Sequence, residues 1–459
     1  MESPTRYPVS QRSIRVGTGA GFSDDRIDPA VEMAEHGKVD YLVFECLAER
    51  TIARERLALT KDPEAGYTPY LAERFQAVLP ACTRNGIRIV TNMGAANPMA
   101  AARAVQREAR ALGINRLPVA VVLGDDVTEV VRANPQLPLL ESGEPVEALL
   151  PHMAAANAYL GADVVAAALA TDAPVVMTGR VADPSLFLGC MLHGLSWSYE
   201  DYPRLASGTV AGHLMECAAQ LTGGCFADPG KKDVSDMARI GFPFADVDAE
   251  GSLTLGKVDG SGGRLDVMTC KEQALYEMHD PNRYVTPDCV LDITELEFEQ
   301  SAPDRVRVTG ARARPRTDSY KVVVGYHDGW IGEGQVGYAG PNALARAQLA
   351  ERIVRERLQM RGFRYPEIRV DYIGMSSLHG MGSGGSGRDE PYEVRLRIAA
   401  RSPDKRTAQA VGFEVRTLHV NGPAGGGGGS NSVREVLGVK SLLLPRELVQ
   451  PRVHLESGA

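Results

Sequence analysis

The sequence predicts an α/β protein: an N-terminal parallel sheet with helices on both faces, followed by an α+β domain whose sheet is mostly antiparallel. Short apolar segments such as YLVFEC (Tyr41–Cys46), IRIVT (Ile87–Thr91) and PVAVVL (Pro118–Leu123) recur at βαβ spacing. Strands apolar on both sides belong to sheets that are covered on both faces. The segments between them carry helix start and stop signals. After Pro243 the grammar changes to successive strand-like segments interrupted by only two helices, which is an α+β pattern.

Taken in order, Ser13–Gly17 (SIRVG) reads as a first strand ending in a glycine-rich loop, GTGAGFSDDR. Asp28-Pro29 opens a helix through about His36, with Asp as the cap and Pro in the first turn. Tyr41–Cys46 is the second strand. Leu71–Asn85 is helical and stops at Asn85-Gly86, a pair that tolerates left-handed backbone. Ile87–Thr91 is the third strand and runs into NMGAANP, where Pro98 opens an alanine-rich helix to about Leu112. Pro118–Leu123 is the fourth strand, and Val164–Ala170 and Val175–Thr178 continue the strand pattern. A helix over Pro203–Leu221 lies near the end of this first domain, placed at residues 10–245.

The second domain is expected over 246–445, with the boundary inside the Gly- and Asp-rich stretch Gly241–Gly263. Cys289–Phe298, Val306–Arg314, Lys321–Gly325, Ile368–Ile373 and Glu393–Ala399 read as strands. Asn342–Leu358 and Asp404–Asn421 read as helices. Gly380–Gly387 and Gly422–Gly429 are low-complexity glycine tracts.

Composition narrows the function classes. The 459 residues are 44% hydrophobic and 24% charged, as in soluble globular proteins, and the length suggests two domains. No apolar run reaches the ~18–20 residues that span a bilayer, and the polar, proline-broken N-terminus has no secretory h-region. Fifty basic against 58 acidic side chains leave a net charge of −8, which disfavours broad binding to nucleic acid or anionic membrane. Seven cysteines without a CxxC pair read as reduced thiols of a cytoplasmic protein.

Chemistry is expected where strands end. Gly17, Gly19 and Gly21 let backbone amides approach an anion, and Glu45 ends the next strand, where a dinucleotide fold keeps its ribose-binding acid. The spacing is GxGxG rather than GxGxxG, so a nicotinamide loop and a tight turn at the sheet edge both stay open. Three further loops leave the same edge: Glu45–Arg50, Thr91–Pro98 with Asn92, Gly94 and Asn97, and Thr178–Asp183 with Arg180 and Asp183. Arg180 suits a carboxylate or phosphate through its forked guanidinium; the alternative is an ion pair with Asp183. His213, Glu216 and Cys217 stand at i, i+3 and i+4 on one helical face. That face offers an acid–base pair, a His/Cys metal edge, or a satisfied core histidine. No second ligand pair accompanies it, so no metal is expected. Tyr276 in KEQALYEMHDP is a donor candidate, or ordinary turn chemistry. Arg312, Arg314 and Arg316 alternate along an extended segment, so they form either an anion patch or a charged edge strand.

These loops together resemble a known family. RVGTGAGFSDDRIDPAVEMAEHGKVDYLVFECLAERTIA, TNMGAANP, GRVADPSLFLG, GHLMECAAQLTGG, KEQALYEMHDPNRYVTPD and GYAGP are similar to the acyclic terpene utilisation AtuA family, over about residues 13–430. The resemblance implies bacterial catabolism of acyclic isoprenoids such as citronellol and geraniol, or of similar branched acids, through acyl-coenzyme A thioesters. Long members continue into a small C-terminal ferredoxin-like domain, which this chain is expected to lack. A separate small ferredoxin-like partner, or self-association into a homo-oligomer, is therefore expected.

The reading is an acyl-coenzyme A enzyme, a lyase or hydro-lyase using general acid–base chemistry, with coenzyme A as part of the substrate and no other cofactor. His213, Glu216, Arg180, Asp183 and Glu45 are the catalytic candidates. Gly17, Gly19, Gly21, Asn92, Gly94, Asn97, Arg312, Arg314 and Tyr276 are the substrate-binding candidates. There is no GxSxG elbow. The alternatives are a non-catalytic subunit or binding scaffold, and an NAD(P)-dependent oxidoreductase.

Overall fold

The computed structural model describes residues 13–378 and 391–458; the Gly380–Gly387 tract lies outside them. The chain divides into two units. One comprises the described residues through Gly325 and those from Val439 onward, and the other is Tyr326–Gly438.

The first unit is built on the strands β1 (Ser13–Ala20), β2 (Tyr41–Phe44), β3 (Arg88–Thr91), β4 (Val119–Leu123), β5 (Met153–Ala158) and β6 (Val175–Thr178). Five of them form a parallel sheet in the order β1-β2-β3-β6-β4. The intervening helices are α1 (Asp28–His36), α2 (Glu49–Lys61), α3 (Leu71–Asn85), α4 (Pro98–Ala111), α5 (Thr128–Ala133), α6 (Ala162–Leu169), α7 (Asp183–Leu195) and α8 (Tyr202–Met215). Period-two alternation divides the core. Leu42 and Phe44 pack with Met33, Phe75 and Val105 from α1, α3 and α4, whereas Tyr41 and Val43 face the cluster holding Val165, Leu188 and Val210 from α6, α7 and α8. Each large apolar side chain buried this way contributes ~1.5–3 kcal/mol, so strands of four residues are held by the layers above and below them. Gly86, at φ 69°, ends α3 as expected.

Three local expectations change. Val164–Ala170 lies in helix α6 and its C-cap rather than in a strand. A short apolar run is ambiguous by periodicity, and alanine favours the helix. The strand of this region is β5, MAAANA, which has no β-branched residue to announce it. Strand β1 runs on to Ala20, so GTGA is strand and not loop. The helix expected to reach Leu221 ends at Met215 and is followed by a 3-10 turn at Ala218–Gln220.

The grammar change at Pro243 does not start a new sheet. Strands β7 (Pro243–Asp248) and β8 (Leu253–Lys257) form a hairpin antiparallel to β1. Helix α9 (Val267–Leu275) and strands β9 (Tyr284–Val285), β10 (Val290–Asp292), β11 (Glu297–Ala302), β12 (Arg305–Thr309) and β13 (Arg312–Arg314) follow. β12 and β11 extend the same sheet beyond β8, while β13-β10-β9 is a small separate sheet. The chain's final strand, Arg452–Glu456, pairs antiparallel with β4. Residues 243–309 thus belong with the first unit, not the second. Antiparallel hairpins can be added at the open edge of a parallel sheet, and the strand pattern alone does not say to which sheet they pair.

The second unit draws on β14 (Ser319–Ala339), α10 (Ala343–Met360), β15 (Glu367–Ile373), β16 (Glu393–Ser402), α11 (Lys405–Asn421) and β17 (Gly427–Pro445). The sheet order is β15-β16-β14-β17, and β16 pairs antiparallel with both neighbours. That β-α-β-β-α-β connectivity is the split, ferredoxin-like motif, and it lies within this chain. Val336, Tyr338 and Leu396 of the sheet pack against Val354 of α10 and Val415 of α11. Asp404 caps α11 by accepting from Thr407 N at 2.6 Å. On polar sheet positions Arg397 bridges Glu333 and Asp371 at 2.6 and 2.7 Å.

Candidate active site

The carboxyl ends of four parallel strands in the first unit deliver polar groups into one buried cluster. Glu45 follows β2, Asn92 follows β3, Asp125 follows β4 and Arg180 follows β6, at the edge where open α/β sheets place their ligands. Glu45 Oε1 accepts from Leu47 N at 2.8 Å and Asn92 Nδ2 at 2.9 Å. Burial, then the charge of Asp183, raises its pKa to about 8 against the opposing pull of Arg180. Asp125 accepts from Arg180 N at 2.8 Å and Asn157 Nδ2 at 3.0 Å, and burial raises it to about 6.

Arg180 is 1% exposed. Its guanidinium lies 4.0 Å from the centre of the Tyr159 ring, donates to Leu47 O and stands 2.9 Å from Asp183 Oδ1. Tyr159 donates to Glu49 Oε1. Burial would raise Glu49, but Arg180, Tyr159 and Lys321 outweigh it and bring Glu49 down to about 2. Arg180, Tyr159 and Lys321 thus favour the charged form of Glu49, whereas burial raises Asp183.

Helix α8 supplies the other half. His213 Nδ1 lies 3.3 Å from Glu216 Oε1, and Nε2 lies 3.3 Å from Ala274 O. Both residues are buried, at 2% and 7% exposure. Glu216 Oε2 has no hydrogen-bond partner among the described residues. Burial raises Glu216 to about 7, against the opposing pull of His213. Burial alone would lower the imidazole, but Glu216 and the Ala274 carbonyl raise it. Such a pair is best described as sharing a proton. The Tyr284 ring packs against His213, with centroids 5.3 Å apart.

A cavity of about 360 Å³ opens against this cluster. Asp183, Tyr159, Tyr284, Lys321 and Arg283 form its polar wall, with Leu140, Ala182, Pro184, Val285 and Leu443 among the apolar residues. The Asp183 side chain keeps 32% of its surface, and it lines this space. His213 and Glu216 do not line it and stand behind Tyr284. An apolar pocket with a few convergent polar groups is what a small-molecule site requires. Among the described residues no His/Cys/Asp/Glu group has the geometry to hold a metal ion.

The structure brings Glu45, Arg180, Asp183, His213 and Glu216 together, with Asn92 beside Glu45. The other binding candidates lie elsewhere or are occupied. Gly17 and Gly19 are packing glycines: a Cβ at Gly17 meets Met33 and Val39 at 2.8 Å, and at Gly19 the Phe44 ring at 2.6 Å. At Gly21 it meets the Cys217 backbone at 2.5 Å, and the Gly21 amide donates to Asp25. The glycine spacing behind the dinucleotide reading is thus used in packing. Gly94 sits against Thr178 O. Asn97 caps α4 and holds Pro63 O and Ala65 O. Arg312 is taken by Asp292 at 3.0 Å and Glu295 at 2.5 Å, and Arg314 by Asn282 O at 2.5 Å. Tyr276 follows α9 and is 39% exposed, outside the cavity wall. Sequence reasoning passed over Tyr159, Glu49, Asp125 and Arg283 as site residues. Glu49 stood inside a loop already selected, whereas Tyr159 follows β5, which went unrecognised.

Fold and site define an α/β protein with a buried acid–base cluster beside an apolar cavity. A family model, "Acyclic terpene utilisation family protein AtuA", matches residues 14–455, and the chain belongs to that family, which ties it to acyclic terpene utilisation. No curated protein and no solved structure matches it. Among the described residues no helix is long and apolar enough to cross a membrane.

Proposed function

We propose that this protein is an enzyme of acyclic terpenoid acid catabolism that moves protons beside the carbonyl of an acyl-coenzyme A thioester, as a lyase or hydro-lyase. The observation that carries this reading is the apolar cavity with Asp183 and Tyr284 in its wall and the His213–Glu216 pair behind it. Proton removal next to a thioester carbonyl needs a base and a donor for the growing oxyanion. Asp183 is the base: its side chain lines the cavity, and burial raises its pKa against the opposing pull of Arg180. Tyr284 is the donor to the oxyanion. The proton passes to Asp183 and the electron pair of the C–H bond to the carbonyl. The enolate pair then returns to form an α,β double bond as the β-hydroxyl leaves as water with the proton held on Asp183 or, in the lyase case, as another β-substituent leaves with that proton. His213 and Glu216 are positioning residues that hold Tyr284. Seven free cysteines support action in the cytoplasm. The exposed strand β17 supports self-association; because this chain carries a ferredoxin-like motif of its own, a separate small partner has no missing domain to replace.

The test is deuterium incorporation from heavy water at the α-carbon of a branched acyl-coenzyme A thioester. Wild-type protein is expected to catalyse it, and Asp183→Asn to slow it by ~10²-fold or more. Binding of the thioester without exchange overturns the catalytic reading in favour of a non-catalytic subunit.

A further inference from the structure

Two cations stand in the cavity wall, Arg283 and Lys321. Lys321 is committed, with Nζ 3.4 Å from Glu49 Oε1 and 4.8 Å from the centre of the Tyr159 ring. Arg283 differs. Among the described residues its guanidinium has no carboxylate, no hydrogen-bond acceptor and no aromatic face; only its backbone N–H is engaged, by Asp280 O at 2.9 Å.

The turn that carries Arg283 is nevertheless firmly held. Asn282 N donates to Asp280 Oδ1 at 3.0 Å, Ile293 N donates to Pro281 O at 2.8 Å, and Arg314 donates to Asn282 O. An unpaired guanidinium on a held turn, at the rim of an apolar cavity, can take an oxyanion without first breaking an ion pair. Thr317, whose hydroxyl donates to Ser319 O at 3.1 Å, and Ser319 lie in the same wall.

We infer that the ligand of this cavity is an anionic amphiphile, with an apolar branched chain inside and a carboxylate or phosphate on Arg283. Arg314, expected to read an anion itself, here positions the turn that does. The inference rests on the proposed function for the choice of acyl chain, but binding and turnover separate in the test.

Calorimetric titration of the full chain uses four probes: a branched acyclic terpenoid acid, its methyl ester, the coenzyme A thioester and the pantetheine thioester. Arg283 is exposed, so Arg283→Gln is expected to keep the wild-type melting temperature. It should weaken at least one anionic probe by ~10-fold or more while leaving its neutral counterpart unchanged. Loss for the free acid but not its ester assigns Arg283 to a carboxylate. Loss for the coenzyme A thioester but not the pantetheine thioester assigns it to a nucleotide phosphate. The inference is overturned if the wild type binds neither anionic probe, if all four affinities are indifferent to the substitution, or if neutral and anionic probes weaken together. Arg283-dependent binding without deuterium exchange overturns the catalytic reading alone. Exchange with affinities indifferent to Arg283 overturns this inference alone.

Discussion

Arg180 lies with its guanidinium 4.0 Å from the centre of the Tyr159 ring, and the same group stands 2.9 Å from Asp183. Stacking and ion pairing converge on one buried side chain, and only a planar cation does both. Arg180→Lys keeps the charge but loses the stack and the donor to Leu47 O. It is expected to destabilise the protein by about 3 kcal/mol. A lower denaturant midpoint at unchanged m-value is the measurement; a midpoint equal to wild type would show that Arg180 does not organise the cluster.

Glu45 supplies a pH signature. Its folded pKa, about 8, lies above the ordinary value of 4.5, so between those limits the folded state holds a proton that the unfolded chain has released. Stability from this group is full below about pH 4.5 and falls as pH rises toward 8, by at most ~1.4 kcal/mol per pH unit. Glu45→Gln keeps an acceptor for Leu47 N without the ionisation. Its melting temperature should decline less than that of wild type between pH 5 and 8, and parallel curves would place Glu45 outside this linkage.

Tyr284 and His213 divide function from stability. Tyr284→Phe keeps the ring against His213 and removes only the hydroxyl, so exchange should fall by ~10²-fold with little change in melting temperature. His213→Gln strikes a buried, doubly bonded side chain, and both melting temperature and exchange should fall. Equal thermal loss in the two variants would contradict this division.

Gly19 tests packing against catalysis. Alanine there brings Cβ to 2.6 Å from the Phe44 ring inside the sheet, an overpacking expected to remove ~1–3 kcal/mol. If instead Gly19→Ala melts like wild type and loses exchange, the glycine serves chemistry and the packing explanation fails.

Self-association is tested by light scattering at micromolar concentration. Strand β17 is the terminal strand of its sheet, exposed over Gly427–Ser432, and uncovered edges pair with other chains. A dimer is the expected species. A strictly monomeric mass counts against self-association.

The parallel sheet was legible in the sequence because its strands are apolar on both faces and its helices carry local stops, such as Gly86 after α3 and Pro98 at the start of α4. The pairing of His213 with Glu216 and of Arg180 with Asp183 was legible too, since short spacing within or before one helix brings the groups together. Tertiary structure decided what depends on distant neighbours. GTGA is strand rather than ligand loop because Met33 and Phe44 fill the space that a side chain would need. The arginines at 312 and 314 are occupied because Asp292, Glu295 and the Asn282 carbonyl come within reach only when β10 and β13 pair. Arg283 stays unpaired for the complementary reason, that the fold brings no acid among the described residues to it. Local propensity and period determine which elements form, but partners of a charge are set by non-local packing, which no window of the sequence encodes.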